Sequence, residues 1–198
     1  MPTALAVLAA YLLGSVSFAM VSAKLFGLAD PRSYGSGNPG ATNVLRSGNK
    51  KAALFTLLGD ALKGWAAVFI AQQAGLSDAA IGLVTLAVFF GHLFPVFLRF
   101  KGGKGVATAA GVLFALDPLL GLAVAGTWLL TAYAFRFSSL AAILAALLAP
   151  VYSLLMHGAS SQGIVIGILA MALIIKHWPN LQRLLAGQEG KIGSKKKT

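Results

Sequence analysis

The chain is a succession of apolar runs too long and too closely spaced for the core of a water-soluble domain. They cover roughly residues 4–26, 52–74, 79–98, 105–116, 118–135, 139–157 and 162–176. A helix needs about 20 mainly apolar residues to cross a bilayer, and most of these runs approach or exceed that length. Only 11% of the 198 residues are charged, against about a quarter in an ordinary soluble domain. Too little polar surface remains to cover a globule of this size, so lipid is the solvent that accepts the excess. The expected fold class is therefore an all-α integral membrane protein, one polytopic domain over residues 1–198 with seven transmembrane helices. The fourth, 105–116, is short and reads as a half-helix packed within protein. The first run is long and has no basic segment before it, so it reads as a span and not as a cleaved signal peptide.

The basic residues set the expected orientation. Lys24, Arg32, Arg46, Lys50 and Lys51 lie at the first polar break, Arg99, Lys101 and Lys104 two breaks later, and Arg136 two breaks after that. Lys176, Arg183, Lys191, Lys195, Lys196 and Lys197 follow the last run. The intervening breaks carry no lysine or arginine but hold Asp78 and Asp117. Positive loops face the cytoplasm, so the N-terminus is expected outside and the C-terminus inside. The net charge of +11 then reads as orientation and attraction to anionic headgroups, the terminal lysines included. Nucleic acid is not expected as a partner, because the basic residues form no continuous stripe with interleaved aromatics. The chain has no cysteine, three histidines and five acids, which excludes disulfides and thiolate metal sites and leaves little for a metal cluster.

Three polar, glycine-bearing segments share the cytoplasmic side in this scheme: about 28–51, 99–105 and 176–191. The first contains Gly35-Ser36-Gly37-Asn38-Pro39-Gly40, a turn signal whose glycines permit positive φ and close approach to a ligand. Bare amides there are expected to form an anion-binding nest. Thr42, Asn43 and Arg46 fall near one face if a helix begins after Gly40. A plain capping loop needs one or two such residues, so the concentration reads as a ligand site. The second segment, Arg99-Phe100-Lys101-Gly102-Gly103-Lys104-Gly105, sets three glycines and three cations before an apolar helix, a composition suited to phosphate. It is not a Walker loop. In the third, His177, Asn180 and Arg183 are spaced three apart and would share a face if helical. Trp178-Pro179 is a possible break in that helix. His177 reads as a general base, as a hydrogen-bond donor to phosphate, or as an interfacial residue without chemistry.

Within the apolar runs, Asp60 and Lys63 read as a structural ion pair or a substrate contact. His92 reads as a bond to a neighbouring helix or a ligand contact. Gly163-x-x-x-Gly167 reads as a close-packing motif. Together the residues imply an enzyme or carrier for a phosphorylated small molecule at the membrane surface. A carrier would show polar residues down to the midplane and often an inverted repeat, and neither is evident.

The three segments resemble the bacterial acyl-phosphate:glycerol-3-phosphate acyltransferases, the PlsY family. The resemblance rests on GSGNPGATNVLR from Gly35 to Arg46, on FKGGKGVAT from Phe100 to Thr108, and on His177-x-x-Asn180-x-x-Arg183 leading to Gly187 and Glu189. It implies transfer of a fatty acyl group from acyl phosphate to the 1-hydroxyl of sn-glycerol 3-phosphate, giving lysophosphatidic acid and phosphate. It also implies a monomer in the bacterial inner membrane, with its site on the cytoplasmic side and no cofactor or metal. The implied catalytic residues are Ser36, Arg46, Lys104, His177 and Asn180. Gly35, Gly37, Asn38, Thr42, Asn43, Lys101, Gly102, Gly103, Gly105 and Arg183 would bind substrate. Lys104 with its neighbouring glycines would hold glycerol 3-phosphate, Ser36 and Arg46 would meet a phosphate or the reacting carbonyl, and Glu189 would anchor the third segment, on a cation of another loop. The resemblance implies acyl phosphate and not a thioester as the donor, and the chain has no H-x-x-x-x-D pairing of the soluble-domain acyltransferases. For the hydroxyl proton the order of expectation is a substrate phosphate, then His177, with a covalent Ser36 intermediate last.

Overall fold

A computed structural model describes residues 2–193, and the lysines at 195–197 lie outside them. The described residues form ten α-helices and no strand. They pack as two compact units, Met1–Pro118 and Leu119–Thr198.

The first unit holds α1 (Thr3–Ser15), α2 (Phe18–Leu25), the short α3 (Ala41–Leu45), α4 (Lys50–Gln73), α5 (Asp78–Leu93) and α6 (Val106–Leu116). The first apolar run is two helices, bent by 43° where Val16 and Ser17 turn extended. Gly14 and Ser15 precede the bend, a common setting for a kink. Asn49 and Ser77 cap α4 and α5 by accepting from Ala52 N and Ala80 N. Helix α5 stops at Leu93 because Pro95 restricts Phe94 away from helical angles. A single 3-10 turn, Val96–Leu98, follows.

The close packing comes from glycines in reciprocal pairs. A Cβ on Gly14 would strike the Val88 carbonyl of α5, and one on Gly91 of α5 would strike the Tyr11 carbonyl of α1. A Cβ on Gly64 of α4 would strike the Thr108 carbonyl of α6, and one on Gly111 would strike the Ala61 carbonyl of α4. Each pair lets two backbones approach where lipid offers no hydrophobic drive to hold them. Outward positions are apolar: Leu54, Leu58 and Leu62 form an exposed stripe on α4. Asp60 and Lys63 on the same helix are buried.

The second unit comprises α7 (Pro118–Phe135), α8 (Ser138–His157), α9 (Ser161–Lys176) and α10 (Trp178–Leu185). Helix α8 packs on α9, and Thr127 of α7 bonds Tyr152 of α8 at 2.9 Å between hydroxyls. Helices α9 and α10 meet at a 56° bend. Pro179 has no N–H for the helical ladder, so α9 ends and a new helix begins with proline in its first turn. The Gly163–Gly167 motif does not pack as expected. A Cβ on Gly167 meets nothing within 4 Å, and one on Gly163 meets only serine hydroxyls at 3.4 and 3.6 Å.

Among the described residues, four helical segments are long and apolar enough to cross a membrane: Lys50–Gln73, Asp78–Leu98, Pro118–Phe135 and Ser138–His157. The bent pairs α1–α2 and α9–α10 also qualify if each is one span, and α6 is shorter. Replacing Gly111 with leucine forces a side chain into backbone, so thermal unfolding in detergent should show a loss of about 1–3 kcal/mol or more. Gly167→Ala, in open space, should instead be neutral or gain up to about 1 kcal/mol from helix propensity.

Candidate active site

In the first unit, the segment from Leu28 to Lys51 folds around one side chain. Asn43 is buried on α3, its Oδ1 accepting from Ser36 N at 2.8 Å. Its Nδ2 donates to the Pro31 carbonyl at 2.6 Å and the Tyr34 carbonyl at 3.2 Å. Asn43 was expected to meet substrate; in the structure its amide holds the loop. Helix α3 begins directly after Gly40, and Gly35 closes the turn with φ +62°. A Cβ on Gly35 would strike Asn43 Oδ1 and lie 3.1 Å from Arg46 Cδ, so this glycine brings the Arg46 stem against the loop. Ser36 and Arg46 are exposed, and Asn38 and Thr42 are half-buried.

Three amides of the expected nest are bonded within the loop. Ser36 N is taken by Asn43, Gly37 N by the Tyr34 carbonyl and Gly40 N by the Asn38 carbonyl. These internal bonds brace the loop. Asp30 and Arg32 form an exposed pair at 2.6 Å. The bond from Arg32 holds the Asp30 carboxyl below its usual range, against the upward push of partial burial.

The second segment is shaped by contact with the end of α5. Arg99 and Phe100 are left-handed, at φ 52° and 61°, a conformation that costs of order 1–3 kcal/mol per non-glycine residue. Phe100 N bonds the Pro95 carbonyl at 2.9 Å and Lys101 N bonds the Leu98 carbonyl at 3.1 Å. The glycines were expected to bare their amides to phosphate, but they serve fit first. Gly103 N donates to the His92 carbonyl at 3.1 Å. A Cβ on Gly102 would strike that carbonyl, and one on Gly103 would strike His92 Nε2 and come within 3.1 Å of the Pro39 carbonyl. Gly105, at φ +87°, lies against Phe89 and Leu93. The two segments therefore meet at Gly103, Pro39 and His92. Arg32 of the first and Arg99 and Lys101 of the second also line one recess of about 430 Å³, with Phe97 and Leu98. Lys104 is half-buried just beyond Gly103.

Beneath that junction lies a buried polar cluster. Lys63 Nζ is 2.8 Å from Asp60 Oδ1, 2.6 Å from the Val16 carbonyl and 3.0 Å from His92 Nδ1. Phe18 N reaches Asp60 Oδ1 at 3.4 Å. The ion pair thus satisfies backbone groups at the α1–α2 break. Its sequence signal was a charged pair in an apolar run; the participation of His92 had no local signal.

In the second unit, the helix assumed through His177 breaks there. His177 closes α9 and caps α10, accepting from Asn180 N and Leu181 N through its carbonyl, each at 2.9 Å. His177 Nδ1 lies 2.9 Å from the Leu173 carbonyl. A carbonyl only accepts, so Nδ1 carries a proton, and in a neutral ring the lone pair then lies on Nε2. Glu189 gathers the rest of the motif. Its Oε1 accepts from Asn180 Nδ2 at 2.6 Å and Ser139 Oγ at 2.7 Å, and its Oε2 from Arg183 Nε at 2.7 Å. The anchoring cation belongs to the motif itself and not to another loop. Arg183, expected at substrate, is paired with Glu189. Ser139 had no signal beyond its place at the start of a run. Burial pushes the Glu189 carboxyl up, but the bonds from Asn180, Ser139 and Arg183 outweigh it and leave it below the usual value.

A family model described as glycerol-3-phosphate acyltransferase matches residues 4–187. A glycerol-3-phosphate acyltransferase of Dechloromonas aromatica is 78% identical over 197 residues, all of both chains. One from Burkholderia ambifaria is 60% identical over 195 residues, 98% of this chain and 92% of its own. A solved structure of PlsY, described as an integral membrane glycerol 3-phosphate acyltransferase in its glycerol 3-phosphate form, superposes with a TM-score of 0.92. It is 39% identical, over 96% of each chain. Its lysophosphatidic acid form gives 0.90 at 38% identity, over 96% of this chain and 95% of its own. The chain belongs to the PlsY family of glycerol-3-phosphate acyltransferases, all-helical integral membrane proteins.

Because the folded-state Glu189 carboxyl titrates below the ordinary glutamate value of about 4.3, its stabilising contribution is complete above that value. It is lost as pH falls through the lowered folded-state value. Glu189→Gln should cost about 1–3 kcal/mol at neutral pH. It should also remove part of the acid-side decline in thermal stability, measured from pH 6 to 3.

Proposed function

We propose that the chain transfers a fatty acyl group from acyl phosphate to the 1-hydroxyl of sn-glycerol 3-phosphate, on the cytoplasmic side of a bacterial inner membrane. The observation that carries this reading is the likeness, across 96% of this chain and 95–96% of theirs, to structures of a protein solved in glycerol 3-phosphate and lysophosphatidic acid forms. The basic breaks support cytoplasmic placement of the three segments. Seven spans follow if each bent pair crosses once and α6 also crosses. At 1.5 Å per residue α6 is only about 16 Å long, so the extended glycine segment before it makes up part of the depth.

Both substrates carry phosphate, which suits the cations of the first two segments. Lys104 binds the phosphate of glycerol 3-phosphate together with Lys101 and the Gly102–Gly105 stretch. Ser36 and Arg46, exposed on a stiff loop, meet the acyl phosphate. The hydroxyl oxygen attacks the acyl carbonyl carbon, the bond from that carbon to the phosphate oxygen breaks, and inorganic phosphate leaves. Charge grows on the carbonyl oxygen and on the departing phosphate, and placed cations and O–H donors stabilise it. The hydroxyl proton passes to a substrate phosphate or to His177. The bond from His177 Nδ1–H to Leu173 favours Nε2 as an acceptor, the tautomer that such a step requires. Asn180 and Arg183, held by Glu189, orient substrate, and the protein acts as a monomer without a cofactor.

Protein in lipid, given acyl phosphate and sn-glycerol 3-phosphate, should release phosphate only when both are present, and should not turn over acyl-CoA. Ser36→Ala and Lys104→Ala should each lower kcat/KM by about 10²-fold or more. No release from folded wild-type protein would overturn the reading.

A further inference from the structure

We infer that His92 is a positioning residue for the glycerol 3-phosphate site, held by Lys63 as the neutral tautomer with its proton on Nε2. The inference rests on the acyltransferase reading for the identity of the substrate, but not for the tautomer.

The geometry begins with the ammonium of Lys63. It has three N–H donors and no lone pair, and three acceptors surround it: Asp60 Oδ1, the Val16 carbonyl and His92 Nδ1. All three are at 3.0 Å or less. His92 Nδ1 must therefore be bare. Asp60 Oδ1 also lies 3.5 Å from Nδ1, the outer limit of a hydrogen bond, and loses that competition to the shorter ammonium contact. The Lys63 ammonium and the Asp60 carboxylate both face the ring at Nδ1, and in a neutral imidazole with Nδ1 bare the proton sits on Nε2.

That nitrogen is set against Gly103, so close that only a glycine fits. The His92 carbonyl receives Gly103 N at 3.1 Å and excludes any side chain from Gly102. The Cβ position of Gly103 in turn lies 3.1 Å from the Pro39 carbonyl of the first segment. One residue thus fixes the second segment by its backbone and its ring, and Lys104 is the next residue along the chain. The ion pair that mends the α1–α2 break also sets the ring that sets the loop. A structural ion pair alone would need no histidine.

The tautomer is tested directly by 15N NMR of wild-type protein labelled at its three histidines, in lipid and at neutral pH. The signal absent in His92→Gln is assigned to residue 92. A protonated Nε2 with a bare Nδ1 is expected; a proton on Nδ1, or on both nitrogens, overturns the inference. The positioning role is read from kinetics. His92→Ala should raise KM for glycerol 3-phosphate by about tenfold or more, while kcat and KM for acyl phosphate change by less than about threefold. His92→Gln, which restores an N–H near the Nε2 position, should recover most of that loss. Lys63→Met should shift the His92 nitrogen signals toward mixed tautomers. A folded His92→Ala with unchanged KM for glycerol 3-phosphate overturns the role. So does a loss that Gln leaves unrepaired while its thermal unfolding matches wild type. Wild-type protein that turns over neither substrate would sink the acyltransferase reading, and with it the substrate half of this inference, while the NMR result still decides the tautomer.

Discussion

The first unit depends on a lysine ammonium enclosed by acceptors. Helix α1 stops at Ser15 and α2 starts at Phe18, which leaves a carbonyl and an amide without helical partners in a region built for lipid. Such groups cost several kcal/mol each if unsatisfied in hydrocarbon. Lys63 answers the carbonyl of Val16 and Asp60 answers the amide of Phe18. Positive charge thus meets the carbonyl end of one helix and negative charge the amide end of the next, the favourable arrangement for both helix dipoles. Two charges buried together are tolerable because each neutralises the other and both are hydrogen-bonded to backbone. The break makes sense only with the pair, and the pair only with the break.

Glycine carries the second layer of organisation, by contact more than by freedom. The pairs Gly14 with Gly91 and Gly64 with Gly111 bring α1 to α5 and α4 to α6 at backbone distance. The same logic recurs in the loops. Gly102 and Gly103 let the second segment lie on the His92 carbonyl and ring, and Gly35 lets Asn43 and Arg46 close on the first. Several loop amides are committed internally, which holds the hydroxyl, guanidinium and ammonium groups of these segments on a braced frame. Preorganised donors of that kind need no rearrangement when charge develops on a substrate.

The second unit solves a similar problem with an acid. Glu189 lies on the chain beyond α10 and draws Asn180, Arg183 and Ser139 onto one carboxylate. The bend at His177 aims its imidazole back at its own helix, where the Leu173 carbonyl fixes which nitrogen holds the proton. In each unit a histidine tautomer follows from one neighbouring group, with opposite results: Nδ1 is bare in His92 and protonated in His177.

Much was legible in the order of residues alone. Apolar runs marked the helices because hydropathy is a local sum, and the three polar segments stood out against them with their family signature. Asp60 and Lys63 could be paired because they lie one turn apart on one helix. What the sequence could not determine was where each polar group would spend its hydrogen bonds. Asn43, Gly103 and Arg183 had the composition of ligand contacts, and tertiary packing gives each a bond within the protein as well. Lys63 and His92 are 29 residues apart, and the glycine pairs join different helices, so neither contact has a local signal. Gly163 and Gly167 had the local spacing of a packing motif, but no backbone faces Gly167. The sequence alone determined a helical, lipid-embedded member of an acyltransferase family, because burial in lipid and family motifs are both written residue by residue. Tertiary structure alone decided which amides, carboxylates and imidazole nitrogens stay available, because a hydrogen bond needs a partner that only folding brings within 3 Å.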